Sequence, residues 1–333
     1  MATSSTTNDT AQPDWTGDKL LSRAVNWMIA SKPIFGVMKA AAKAVMKRAS
    51  RRAGMDWDAH AQQMQQTAEL QLQQLCQEFS QQPHPGLQYP SYYTVPFHAY
   101  GEGNLCWQAA YEVEPATCAV ALRAFKAEGL TAQQAMQKQR GAINSHIQAY
   151  HARHGLRAPS SILDIGCSTG ISSCWYQAAW PDADITGLDL SPYFLAVAEL
   201  EEQRRVAADP SSKRIKFVRG LAEATGYDDA SWDMVVFSFI AHECPQAALA
   251  AFVKEARRIV KRGGVVCFVD MDPRSEALQS LPPVLFTLAK STEPWSDEYY
   301  SFDLEEALRQ AGFQCVESTQ PDRRNRTVFG IAA

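Results

Sequence analysis

The stretch from Ile162 to Gly170 constrains this chain more than any other. It reads Ile162-Leu163-Asp164-Ile165-Gly166-Cys167-Ser168-Thr169-Gly170, an apolar strand running into a glycine turn ahead of a helix-forming segment. Gly166 and Gly170 allow a tight turn and leave the main chain open to a ligand, toward which the N–H groups of the next helix point. A second apolar run, Ile185–Leu188, ends on Asp189 and Leu190. Asp189 follows Gly166 at about the 20-residue spacing at which an acid reaches the first glycine loop and accepts hydrogen bonds from two ribose hydroxyls.

Dinucleotide sites share this logic, but three features disfavour one here. The glycine spacing does not complete G-x-G-x-x-G. Asp164 sits at the strand end, where it would repel a pyrophosphate. No second nucleotide-binding half follows. An acid at that position suits a ligand with a cationic amino-acid end.

The surrounding pattern supports a layered fold. After Pro159, the apolar runs Ile162–Ile165, Ile185–Leu188, Ile215–Val218, Met234–Phe237 and Val265–Val269 alternate with helical segments. That predicts a parallel sheet covered on both faces. Ser191 with Pro192 marks a helix start. Lys261, Arg262 and Gly263 predict a basic helix end with a glycine cap. Asp303 and Glu306 predict a capping box, with Gly312 ending its helix.

On these residues the chain resembles the class I S-adenosylmethionine-dependent methyltransferase superfamily, in the UbiE-like group. The resemblance covers about residues 155–331. Its first motif is matched by Asp164 through Gly170, its fourth by Ser231-Trp232-Asp233-Met234-Val235-Val236 and its fifth by Arg258–Gly264. It implies an α/β fold with a doubly wound, mostly parallel seven-stranded sheet whose last strand is antiparallel. Phe313–Glu317 and Thr327–Ile331 resemble its final hairpin, so the sheet is expected to be complete. The resemblance also implies S-adenosylmethionine as cofactor. Asp164, Gly166, Cys167, Ser168 and Gly170 are expected at its methionine part, Asp189 and Leu190 at the ribose, and Ala222, Glu223 and Ser238 elsewhere around it. Two departures stand out. Leu221 replaces an acid found beside the adenine in many relatives, and Ser168 replaces a common glycine.

Methyl transfer mainly needs alignment of acceptor and methyl, and exclusion of water. An oxygen or carbon acceptor also needs a base. His242 lies just beyond the fourth strand and is the candidate; otherwise it orients a loop or caps the helix near Pro245. Asp270 and Asp272 follow the fifth strand, but Phe237-Ser238-Phe239 lacks the further acid or amide that a catechol-type metal site needs. None of the eight cysteines forms a C-x-x-C pair, so no metal is expected and a reducing compartment suits the thiols.

Residues 1–17 read as a flexible tail, 18–154 as a helical region that shapes the acceptor pocket, and 155–333 as the cofactor-binding domain. Helices are expected over about 18–52, 57–82 and 105–127, and from the Thr131/Gln134 capping box to about Arg153. Pro83, Pro85, Pro90 and Pro96 make the segment between the second and third an extended loop. Two aromatic segments are candidate covers for an acceptor. One is Tyr92–Trp107, with Tyr93, His98, Tyr100 and Glu102. The other is Pro273–Phe302, with Pro282, Pro283, Phe286, Trp295, Tyr299 and Tyr300. The region including Tyr92–Trp107 is also similar to uncharacterised methyltransferases of photosynthetic organisms.

Ile34, Met38, Ala41 and Val45 share one helical face and Lys39, Lys43 and Lys47 the other. Between Lys19 and Arg52 there is no acid. Residues 33–52 therefore read either as a helix lying on an anionic membrane surface or as one docked on the protein with a solvated basic face. The net charge of −4 and the lack of aromatics interleaved with the bases argue against nucleic acid. The expected partner is a small apolar or aromatic acceptor, and the expected location is the cytoplasm, with a plastid as the alternative. A protein or nucleic-acid methyltransferase and a non-catalytic cofactor-binding scaffold are the competing readings. The first is weakened by the absence of an Asn-Pro-Pro-Tyr motif after the fourth strand.

Overall fold

The computed structural model describes residues 20, 23, 27, 32–82, 87–98, 100–281, 286, 290 and 292–333. The expected tail, most of residues 18–31, and Pro83, Pro85, Pro282 and Pro283 lie outside the described residues. So do the side chains of Ile34, Met38 and Lys39.

Among the described residues, four long α-helices precede the sheet: α1 Lys32–Arg52, α2 Trp57–Gln81, α3 Trp107–Ala124 and α4 Ala132–Arg153. Asp56 caps α2, and Thr131 with Gln134 forms the expected capping box on α4. The helix α2 is kinked at Ala68, which leaves helical φ/ψ. The catalytic-half elements follow as β1 Ser161–Ile165, α5 Ile171–Ala179, β2 Asp184–Asp189, α6 Pro192–Ala208, β3 Lys216–Arg219 and β4 Trp232–Ser238. Then come α7 Gln246–Ile259, β5 Val260–Met271, α8 Glu276–Gln279, α9 Ser296–Ser301, α10 Leu304–Gln310, β6 Phe313–Thr319 and β7 Asn325–Ala332.

The seven strands form one sheet in the order β3-β2-β1-β4-β5-β7-β6, with β7 antiparallel to both neighbours. The order reverses between β1 and β4, and ligands of open α/β sheets bind at the carboxyl ends of the strands flanking such a reversal. Strand residues alternate between two apolar layers. Leu163, Ile165, Val235, Phe237, Val266 and Phe268 face α7 and α10. Ile162, Met234, Val236, Cys267 and Phe329 face α4 and α5. Phe237 stacks on Phe268 at 4.3 Å and on Phe252 at 5.6 Å. Each such buried ring contributes roughly 1.5–3 kcal/mol.

One helix end differs from expectation. The helix α7 stops at Ile259 and the chain enters β5 at Val260, so Lys261, Arg262 and Gly263 lie in the strand. Lys261 instead pairs with Asp233 of β4 at 2.8 Å, and Asp233 also accepts the N–H groups of Ser160 and Ser161. That carboxylate ties the entry of β1 to β4 and β5.

The basic helix also turns differently. Lys43 and Lys47 of α1 are half-buried and face inward: Lys43 pairs with Glu112 at 2.6 Å, and Lys47 pairs with Asp58. Ala41 and Val45, on the expected apolar face, are exposed together with Arg48, Arg51 and Arg52. Ion pairs to α2 and α3 outweigh the small apolar area those residues offer. Among the described residues no helix is long and apolar enough to cross a membrane.

Candidate cofactor and methyl-transfer site

Asp164 lies on the α4/α5 side of β1 and is fully buried. Its Oδ2 accepts the hydroxyls of Ser172 and Ser173 at 2.7 and 2.6 Å, while its Oδ1 has no hydrogen-bond partner. Burial pushes its carboxyl up to about 6, against those two bonds. Asp189 ends β2. Its two oxygens accept the N–H groups of Ser168 and Ser191, each at 2.8 Å, and burial likewise pushes it up to about 6. The glycine loop is thus fastened to the acid at the end of β2 before any ligand arrives.

The glycines are required here by backbone and by packing. Gly166 has φ +71, and a Cβ on it would meet the Ile240 side chain at 2.4 Å. Gly170 has φ +78, and its Cβ would meet the Phe217 ring at 2.6 Å. Ser168 has φ +51, the left-handed conformation that explains why relatives place a glycine there. Cys167 is buried behind the loop against the second apolar layer. Leu190 is buried too, and its carbonyl accepts Arg219 Nε at 3.3 Å. Ser238 ends β4, with its Oγ 2.5 Å from the Tyr176 hydroxyl.

Arg140 of α4 was not among the residues singled out from sequence, because its helix precedes the glycine motif and no spacing links the two. Its guanidinium is buried, lies over the Phe239 ring at 5.0 Å, and leaves Nε without a partner. It lies in the field of Asp164. The Tyr93 hydroxyl is buried and unpartnered as well, and Asp189 and Glu243 both act on it. An amino-acid end satisfies such a set: its ammonium complements the free oxygen of Asp164, and its carboxylate complements Arg140. The residues present therefore fit S-adenosylmethionine.

Arg219, also missed, anchors the N-terminal region at the end of β3. It donates to Ser80 O at 3.0 Å and to the Tyr89 hydroxyl at 2.6 Å, and its N–H donates to Gln82 Oε1 at 3.0 Å. Leu221 and Ala222 lie in the turn after β3, and Glu223 accepts the Tyr92 hydroxyl. Ser191 Oγ donates to Asn104 O at 2.7 Å, so the loop ahead of α3 sits on the start of α6.

At the ends of β4 and β5, His242 occupies a short 3-10 turn, Ala241–Glu243. It is buried, and its Nδ1 and backbone N–H meet Asp270 at 2.8 and 3.1 Å. Burial alone would lower its pKa, but the Asp270 carboxylate raises it to about 10. Asp272 points elsewhere, to Gln320 and the N–H of Arg274. The two aromatic segments meet here. His98 N donates to Thr292 O at 3.0 Å, and Trp295 Nε1 donates to Tyr92 O at 3.3 Å. His98 Nε2 lies 2.9 Å from Glu293 and 3.5 Å from Glu243. Asn104 holds the other Glu243 oxygen at 3.2 Å, and burial pushes Glu243 up to about 7. His98, His242 and Glu293 each bring one donor atom within 4.8 Å of the others. They come from three separate segments, so no spacing in the sequence announces the group.

The methyltransferase-domain family matches residues 163–268. An uncharacterised methyltransferase of Synechocystis is 30% identical over 156 residues, 46% of this chain and 67% of that protein. A demethylmenaquinone methyltransferase of Chlorobaculum tepidum is 31% identical, covering 45% of this chain and 57% of that enzyme. A phthiotriol/phenolphthiotriol dimycocerosates methyltransferase of Mycobacterium leprae is 28% identical, covering 40% and 46%. The chain thus spans about half the length of these last two relatives. The solved apo structure of the S-adenosylmethionine-dependent methyltransferase SibL has 20% identity and a TM-score of 0.46, covering 61% of this chain and 57% of that one. At that score the likeness adds nothing to the strand order described above. The strand order, the fastened glycine loop and these relatives together show that the chain belongs to the class I S-adenosylmethionine-dependent methyltransferase superfamily, whose cofactor is S-adenosylmethionine.

Proposed function

We propose that this enzyme transfers the methyl group of S-adenosylmethionine to a small apolar or aromatic acceptor. The observation that carries the reading is the meeting of two aromatic segments near the ends of β4 and β5, where Trp295 is bonded to the Tyr92 carbonyl and the Tyr299 ring lies 6.5 Å from that of His242. Tyr92, Tyr93, Trp295, Tyr299 and Tyr300 give that end of the site an aromatic wall beside the polar group of His98, His242, Glu243 and Glu293. Demethylmenaquinone and phenolphthiotriol methyltransferases among the relatives are consistent with such an acceptor.

When bound, the cofactor supplies an electrophilic methyl with its leaving group already in place. In this reading Asp164 and Arg140 hold its amino-acid end, and Asp189 holds the ribose. Ala222 and Glu223 flank the adenine side without the acid replaced by Leu221. Ser238 and the turn after it line the methyl end. Asp270 orients His242, the candidate base, whose Nε2 takes the acceptor's proton only after giving up its own, which a pKa of about 10 holds at neutral pH. The wall formed by residues 89–98, 100–107 and 292–302 aligns the acceptor and keeps water out.

The test is transfer of labelled methyl from S-adenosylmethionine to a panel of quinols, phenols and carboxylic acids, with His242→Ala alongside. Labelling of an aromatic hydroxyl or ring carbon, lost in the variant, supports the reading. Labelling of only protein or nucleic acid would replace it with the macromolecular alternative.

We also propose that α1 touches an anionic membrane surface, with Val45, Arg48, Arg51 and Arg52 outward. Vesicle co-sedimentation that is indifferent to Arg48→Glu with Arg52→Glu would remove that part.

A further inference from the structure

We propose that His98, His242 and Glu293 form a binding site for a divalent transition-metal ion of the zinc or cobalt class, set at the methyl-transfer end of the pocket. Three observations converge on it. The two imidazoles and the carboxylate bring one donor atom each within 4.8 Å of one another, a separation that small side-chain rotations convert into a shared coordination sphere. Nδ1 of His242 is already bonded to Asp270 at 2.8 Å, which leaves Nε2 as its ligand atom. A carboxylate on the far nitrogen fixes the tautomer that leaves the near one free as a ligand. Glu293 spends one oxygen on His98, while its buried Oε2 has no hydrogen-bond partner.

The charge pattern is the fourth support. Asp270, Glu243 and Glu293 crowd two imidazoles in a half-buried to buried setting. A dication would offset the charge of the three carboxylates gathered at this point. Two imidazoles and a carboxylate suit zinc, cobalt, iron and manganese better than magnesium or calcium. Three protein ligands leave coordination positions open, the arrangement of catalytic rather than structural sites. An acceptor oxygen at an open position would be acidified by ligation, and His242 would then act as a ligand in place of a free base. The ion would also join the loop before α3 and the segment before α9 to the turn after β4. The assignment does not depend on which acceptor is methylated.

The experiment uses the full chain, stripped with a chelator and titrated with cobalt(II), read by visible absorption and equilibrium dialysis. Cofactor binding by calorimetry on the same samples reports that each protein is folded. One equivalent is expected to bind, with absorption bands of nitrogen- and oxygen-ligated cobalt that zinc displaces. Affinity falls at least tenfold in His98→Asn and in Glu293→Gln. The outer-shell variant Asp270→Asn loses roughly 10–100-fold. No stoichiometric binding by the parent overturns the site. Unchanged binding in folded Glu293→Gln and His98→Asn overturns it equally, because the ion then sits elsewhere. Cofactor affinity and acceptor labelling are read separately, so loss of this site leaves the methyl-transfer reading standing, and the reverse also holds.

Discussion

Replacing Arg140 by Met removes a charge while keeping an apolar stem of similar length over Phe239. In the described structure the guanidinium forms no ion pair, and its Nε bonds to nothing. If it receives the cofactor's carboxylate, the variant loses charge-assisted hydrogen bonds worth roughly 1.5–3 kcal/mol. That corresponds to a dissociation constant raised about 10- to 150-fold. The assay is calorimetric titration with S-adenosylhomocysteine and with 5′-methylthioadenosine, which shares the nucleoside but lacks the amino-acid end. The first should weaken by that factor, and the second should stay within about twofold of the parent value. Urea unfolding of the ligand-free variant should remain cooperative and within about 1 kcal/mol of the parent, because a buried cation without an ion pair adds little stability. Equal weakening of both ligands, or of neither, would refute the assignment of Arg140 to the carboxylate.

Three further outcomes are expected. Ser168→Gly relieves a left-handed backbone at φ +51 and should raise stability by about 0.5–1 kcal/mol, the αL penalty less the extra chain entropy of glycine, read from the urea midpoint. Burial would raise the Asp233 pKa, but Lys261 and Ser160 lower it to about 2 from 3.8, while the side chain keeps 26% of its exposure. A depressed acid contributes stability above its unfolded pKa and loses it as pH falls through the folded value. Asp233→Asn should therefore cost about 2 kcal/mol at neutral pH, with the gap to the parent closing between about pH 4 and 2; a gap that stays constant with pH would show that the ion pair is not its source. Burial raises Asp164 and Asp189 to about 6 each, so cofactor affinity should fall as pH drops below about 6, where both take up protons. Asp189→Asn should bind more weakly at neutral pH and show a shallower pH dependence; a parent affinity flat through that range would argue against carboxylate forms at the site.

Local chemistry made part of this protein readable in advance. The Ser191-Pro192 start and the Thr131/Gln134 box lie within a few residues of their partners, and Asp189 follows the glycine loop at a recognisable spacing, so turn geometry, capping chemistry and that spacing expose them in the chain. The alternating apolar runs predict the parallel strands because each strand must bury both faces. The end of α7 was misplaced because Lys261 and Gly263 have the composition of a helix cap, while pairing with Asp233 draws them into β5. The face of α1 was reversed because an amphipathic pattern does not say which side the protein takes, and Glu112 and Asp58 attract the lysines.

The sequence by itself therefore determined the nucleotide-type fold, its glycine turn and the acid at the end of β2, since these follow from steric and hydrogen-bonding rules acting over short spans. Only the tertiary structure decided that Arg140 lies over Phe239 in the field of Asp164, that Arg219 fastens the N-terminal region, and that His98, His242 and Glu293 converge. Those groups come from segments far apart in the chain. Their meeting depends on how α4, the loop before α3 and the segment after β5 dock on the sheet, and no local periodicity encodes that docking.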